Sequence, residues 1–203
     1  MNKTLSRLLR AILILALLAG CGAKKDPAPP AENPPPSQEE PEEPEGAAAL
    51  GSLASFSAGT LDGGTFTQED LAARDVTVLN FWALTCPPCI AEMPDLAAFA
   101  KALPDNVAVV TVCLDGYGSE DSVREILDEA GFRGATLITG EGDLLDLAGN
   151  LMYTPTTVLA DSTGALVGEA IIGGQADLSG VYLEAVNQAL EAGGKEAVSL
   201  EDA

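Results

Sequence analysis

Two runs of the chain, Val76 to Trp82 and Val107 to Leu114, are apolar and rich in β-branched residues. They lack the alternation of a one-sided sheet, so both read as buried central strands. Between them a helix is expected from Pro87 to about Leu103. Pro94 falls well inside it, where the missing N–H removes one backbone bond and bends the axis. Val123, Ile126, Leu127 and Ala130 recur at helical spacing, and Gly131 stops that helix. A strand at Ala135 to Ile138 and a short helix near Asp143 to Ala148 follow. Strands at Thr156 to Ala160 and Ala165 to Ile172 flank the turn Asp161-Ser162-Thr163-Gly164. A last helix carries Leu178, Val181, Tyr182, Ala185, Val186, Ala189 and Leu190 on one face. Ahead of all these, Phe56 to Thr60 and Thr65 to Thr67 flank Leu61-Asp62-Gly63-Gly64, a hairpin turn, and a helical turn near Gln68 to Ala73 succeeds it. Strand-helix-strand followed by hairpin-helix describes an α/β sheet of mixed strand direction. One domain from Leu53 to Ala192 accounts for it, with no internal repeat and with residues 193–203 as a disordered tail.

The pattern changes before Leu53. Lys3, Arg7 and Arg10 precede an apolar run from Ala11 to Ala19, too short to span a bilayer and laid out as a secretory signal over residues 1–20. The run ends in Leu18-Ala19-Gly20-Cys21, which resembles the lipobox of bacterial lipoproteins. On that likeness Cys21 becomes the lipidated N-terminus, and two or more acyl chains hold a protein stably on a membrane surface. Lys24 to Gly46 is nearly all proline, acid and small residues. It cannot bury a core, and residues 21–52 read as a disordered tether with a reach of up to ~70 Å. The domain would then lie outside the cytoplasm, where thiols are not kept reduced by cytoplasmic pools.

The formal charge is −21, and removal of a basic signal makes the mature chain more acidic still. Nucleic acid is therefore not an expected partner. After Ala49 the only basic residues are Arg74, Lys101, Arg124, Arg133 and Lys195. A well-solvated surface is the plain reading of this excess of acid, and a monomer is expected.

The chemistry sits at Cys86-Pro87-Pro88-Cys89, where the first buried strand gives way to the first long helix. A helix that starts at Cys86 offers its sulfur unpaired backbone N–H groups and a positive dipole end, both of which favour the thiolate. Cys86 is then the attacking sulfur and Cys89 the resolving one. Zinc needs four ligands, and with no histidine and only Cys21 and Cys113 left over it has no set. Covalent haem needs a histidine where Ile90 stands, and a copper site of the thioredoxin-like kind needs one as well. A peroxiredoxin-type peroxidase would carry threonine where Ala83 precedes Cys86 by three residues. A structural disulfide stays open on spacing alone. No metal or bound cofactor is expected beyond the redox-active Cys86–Cys89 pair itself.

Asn80-Phe81-Trp82-Ala83, the dithiol, Glu92-Met93-Pro94 and Thr154-Pro155-Thr156-Thr157 ahead of an Asp-x-x-Gly turn stand in a specific order. In that order they resemble the thioredoxin superfamily, and within it the TlpA/ResA-like membrane-anchored thioredoxins, over roughly Ser55 to Ala192. The resemblance implies a thioredoxin fold, a central mixed β-sheet flanked by helices with an N-terminal hairpin. It implies thiol–disulfide exchange on disulfide-containing extracytoplasmic proteins, often in cytochrome c maturation, with electrons from a membrane thiol transporter. By the same resemblance Pro155 is a cis-proline opposite the dithiol. Thr154 offers backbone to a substrate strand, Trp82, Pro87 and Pro88 join the substrate surface, and Glu92 exchanges a proton with Cys89. Asn80 stands where many thioredoxins have a buried aspartate, and Thr85 replaces the tryptophan that usually precedes the first cysteine. Reduction is the leading direction. Oxidation or isomerisation by the same chemistry and a non-catalytic binding module are the alternatives, since fold alone does not imply function. Cys113 reads as a small core residue, with a third redox thiol as the lesser alternative.

Overall fold

The computed structural model describes residues 51–200; the signal, the lipidation site at Cys21 and nearly all of the tether lie outside the described residues. Thirteen elements follow in chain order: β1 (Phe56–Gly59), β2 (Thr65–Thr67), α1 (Gln68–Ala72), β3 (Val76–Trp82), α2 (Pro87–Ala102), β4 (Val107–Cys113), α3 (Glu120–Ala130), β5 (Thr136–Leu137), β6 (Glu141–Gly142), α4 (Asp143–Asn150), β7 (Thr156–Asp161), β8 (Leu166–Ile172) and α5 (Leu178–Ala192). The main sheet has the order β5-β4-β3-β7-β8. β3 is parallel to β4, and β4 to β5, whereas β7 pairs antiparallel with β3 on one side and with β8 on the other. That is the mixed sheet expected from the apolar runs. β3 lies at its centre with all seven residues buried, which is why its sequence does not alternate.

Helices cover both faces. On one, Val78 and Trp82 pack with Met93, Leu96 and Phe99 of α2 and with Tyr182, Val186 and Leu190 of α5. On the other, Leu79, Phe81, Val110 and Val158 meet Leu53, Phe56, Leu71, Leu144 and Leu147. Successive side chains of a strand point to opposite faces, so β3 alone serves both layers. Gly131 ends α3 in the left-handed conformation, φ 77°, as its place in the sequence predicts.

Two segments differ from expectation. The hairpin β1–β2 is extended into a three-stranded sheet by β6, a two-residue strand that pairs with β1. Two residues carry no periodicity, so β6 left no trace in the hydrophobic pattern. Gly142 allows it: its φ is 64°, and a Cβ there would lie 2.5 Å from the Ser55 carbonyl oxygen. The segment after α5, expected as a disordered tail, is held back on the domain as far as Leu200. Val198 N–H donates to Asn187 Oδ1 (2.8 Å) and Asn187 Nδ2 donates to the Val198 carbonyl (3.0 Å). Val198 and Leu200 pack on the core, and Lys195 Nζ lies 2.7 Å from Asp75. A short stretch with two apolar residues gains its order from one asparagine side chain, a tertiary partner that no local pattern announces. Among the described residues no helix is long and apolar enough to cross a membrane.

Candidate active site

The chain leaves the C-terminal end of β3 at Trp82 and enters α2 within a few residues. Asp115, just past β4, fixes that turn by accepting the Leu84 N–H at 2.8 Å, and Cys86 N–H donates to the Ala83 carbonyl at 3.1 Å. Cys86 is the N-cap of α2, and Pro87 and Pro88 take its first two positions. Proline suits that place because its fixed φ fits a helix start and the N–H it lacks would have no intrahelical acceptor. One consequence departs from the sequence reading. The expected set of free N–H groups shrinks to that of Cys89, which donates to Cys86 Sγ at 3.3 Å; the two prolines have none to give.

Cys86 and Cys89 form a disulfide with Cα atoms 5.3 Å apart. Cys86 is 7% exposed and Cys89 1%, so the first sulfur is the one nearer to solvent. Pro87, Pro88 and Thr85 are exposed beside it. The Thr154–Pro155 peptide is cis. The Pro155 carbonyl accepts the Gly173 N–H at 2.8 Å. At the next residue, Gly174, an added Cβ would lie 3.4 Å from Glu92 Oε2 and 3.9 Å from Pro88 Cβ. The loop after β8 is therefore bonded to the Pro155 segment and passes close beside the head of α2. Trp82 takes a different place from the one expected. It is fully buried and packs in the same core cluster as both cysteines, so it supports the disulfide from beneath and offers nothing to a substrate in this state. It is the last inward-facing residue of a central strand, and that position decides its burial.

Glu92 lies one turn after Cys89, on the same side of α2, and is 6% exposed. Burial pushes its carboxyl above the ordinary value of 4.5, and a hydrogen bond from Asn80 partly opposes the shift. Asn80 Nδ2 donates to Glu92 Oε1 at 3.2 Å and to Thr157 Oγ1 at 3.0 Å, and Thr157 Oγ1 is 2.7 Å from the Tyr182 hydroxyl. Glu92 Oε2 has no hydrogen-bond partner; the Gln175 backbone amide acts on the carboxylate without reaching bonding geometry to that oxygen. The sequence reading missed Thr157 and Tyr182 as partners of Glu92. Its signal was Asn80 itself, a lone amide within an apolar strand that must find donors and acceptors from elsewhere.

A raised carboxyl value has a definite sign in stability. The fold favours neutral Glu92, so its contribution is complete below the ordinary value and is lost as pH rises through the higher folded value. Glu92→Gln keeps the acceptor for Asn80 and removes the charge. The variant is expected to melt a few degrees above the parent at pH 7, with the gap closing as pH falls to 4.5 and below. A variant that melts lower at pH 7 would contradict this.

Cys113 is buried at 2% exposure and does not belong to the dithiol. Burial pushes its thiol up to about 12, which keeps it protonated and unreactive and fits the core role expected of it.

Residues 51–170, more than half of the chain, match the model of the AhpC/TSA family. Thioredoxin-like protein YneN of Bacillus subtilis is 36% identical over 112 residues, 55% of this chain and 64% of that protein. Thiol-disulfide oxidoreductase ResA of Oceanobacillus iheyensis is 40% identical over 70 residues, 34% of this chain and 35% of that protein. The chain thus spans less than two thirds of the length of these curated relatives. Among solved structures, Mycobacterium tuberculosis DsbF in its mixed oxidized and reduced forms has a TM-score of 0.52 at 27% identity, covering 63% of this chain and 92% of that one. The architecture is that of the thioredoxin fold, and the chain belongs to the AhpC/TSA family, with relatives of the thioredoxin-like TlpA/ResA type.

Proposed function

We propose that this protein is a thiol–disulfide oxidoreductase that reduces disulfides of proteins outside the cytoplasm while lipid on Cys21 holds it at a membrane. The observation that carries the reading is the Cys86–Cys89 disulfide at the head of α2, with buried Glu92 one turn below it. A dithiol donor, of the class a membrane thiol transporter supplies, first reduces the pair with two electrons and two protons. Cys86 then attacks a substrate disulfide as the thiolate. A bond forms from Cys86 Sγ to one substrate sulfur, and the other leaves with the electron pair of the broken bond. Cys89 passes its proton to Glu92 and attacks Cys86 Sγ, so the intramolecular disulfide reforms and the second substrate thiolate departs. No metal or bound cofactor enters this sequence.

The substrate surface falls on the Pro155 segment. Thr154 is half-buried, and among the described residues no backbone hydrogen bond uses its N–H or C=O, which leaves both for an extended substrate strand. Met152, Tyr153 and Ile172 are exposed beside it and line a cavity of about 380 Å³. These residues supply apolar area that Thr85, in place of an aromatic, does not. Pro87 and Pro88, which follow Cys86 directly, are exposed as well.

Trapping tests the reading. A Cys89→Ser chain expressed in its own cells is expected to accumulate mixed disulfides on Cys86 that are cleaved by dithiothreitol, recovered in the membrane fraction and lost from a Cys21→Ala chain in that fraction. Absence of any adduct would remove the exchange function, and adducts on cytoplasmic proteins would remove the compartment.

A further inference from the structure

We propose that Asn80, Thr157 and Tyr182 are positioning residues of the exchange site: a buried amide, held by two hydroxyls, sets whether Glu92 is charged or neutral. The inference rests on the proton-carrying part given to Glu92 above and extends it to three neutral side chains on β3, β7 and α5.

The geometry is a matter of counting hydrogens. Asn80 is 1% exposed and stands on the face of β3 that carries Val78 and Trp82. Its Nδ2 has two hydrogens and three acceptors within reach: Thr157 Oγ1 at 3.0 Å, Glu92 Oε1 at 3.2 Å and Tyr182 Oη at 3.5 Å. The two nearer ones take them. In this setting the amide aims a donor at Glu92, which is what a charged carboxylate requires. Two oxygens, Asn80 Oδ1 and Glu92 Oε2, are then buried without a partner. A buried network left half-satisfied in one arrangement invites a second.

Turned end for end, the amide would put Oδ1 where Nδ2 stood. That oxygen accepts the proton of neutral Glu92 with one lone pair and the Thr157 hydroxyl proton with the other. Thr157 and Tyr182, 2.7 Å apart, both donate and accept, so the pair can reverse its polarity with the amide. Glu92 therefore has one setting of the network for each protonation state, and the hydroxyls weight the two. The groups that face Glu92 are these three, the Gln175 backbone amide and, on its own helix, Asp95 and Cys89, the last held in the disulfide in this state. Tyr182 is the titratable one among the three, and burial pushes its hydroxyl up to about 12, so it keeps its proton at working pH.

The test is an NMR titration of the Glu92 side-chain carboxyl in the oxidised full chain, where Cys89 does not titrate, with Glu92→Gln as the assignment control. Tyr182→Phe keeps the ring but removes the acceptor of the Thr157 hydroxyl. With the amide donor-forward the Thr157 proton is then buried without an acceptor, whereas the turned amide still takes it on Oδ1, so the neutral setting gains and Glu92 is expected to titrate higher by about one pH unit, a tenfold change in proton affinity. Thr157→Val costs each setting one bond and removes the proton on which that difference depends, so Tyr182→Phe added to it should shift Glu92 by less than Tyr182→Phe alone, and Thr157→Ser should keep the parent value. Thermal melts exclude a variant that has not folded, and Tyr182→Phe against the parent decides. Unchanged titration in the folded variants overturns the proposal. Because this measurement needs no substrate, failure of disulfide exchange would remove the proposed function and leave the network result readable.

Discussion

Replacing Cys86 by serine is expected to lower disulfide reduction, assayed with a dithiol donor and a disulfide-bonded protein, at least ~1,000-fold, to the uncatalysed rate. The size follows from which sulfur can start the reaction. Cys86 is the more exposed of the pair, caps α2 and receives the Cys89 N–H. A serine hydroxyl in its place is not ionised near neutral pH and is a poor nucleophile toward sulfur. Cys89 cannot substitute: at 1% exposure it reaches a substrate disulfide only through Cys86. Cys89→Ser should fail differently, completing one attack and stopping at the mixed disulfide. The two variants separate attack from resolution, and wild-type activity in Cys86→Ser would remove the assignment altogether.

The order of motifs made this site legible before the fold was known, because exchange chemistry is concentrated in a short segment. The C-x-x-C spacing, its position between an apolar strand and a helix, and Thr154-Pro155 ahead of another strand are all local. What stayed hidden depends on residues far apart in the chain. Tyr182 was placed correctly on the buried face of the last helix, yet nothing at its position says that its hydroxyl meets Thr157 of β7. The resemblance puts Trp82 on the substrate surface, whereas its place at the end of a central strand buries it completely. β6 exists only through pairing with β1, and Val198 is ordered only through Asn187. Periodicity reports what a segment buries and not which partner covers it. Long-range polar contacts and two-residue strands therefore escape it.

The same central position of β3 gives the second large effect, in stability. Phe81→Ala is expected to cost about 3 to 5 kcal/mol, a large part of the 5 to 15 kcal/mol typical of a domain. Phe81 is fully buried in the layer formed with Leu53, Phe56, Leu144 and Leu147. Its backbone is paired on both sides, to Val112 in β4 and Thr156 in β7, so the strand cannot move in to fill the space and the cavity persists. Phe66 offers the control. It sits in β2, at the edge of the small sheet and half-buried, with its ring 6.2 Å from that of Phe56. Phe66→Ala leaves a gap that solvent and neighbours can close and should cost under about 2 kcal/mol. Urea unfolding of the oxidised proteins measures both, and a loss below about 1.5 kcal/mol for Phe81→Ala would contradict the argument. The dithiol belongs to the opposite layer, with Trp82 and Met93. Below its lowered melting temperature, Phe81→Ala should therefore reduce disulfides at close to the parent rate, which separates the stability of the scaffold from the chemistry it carries.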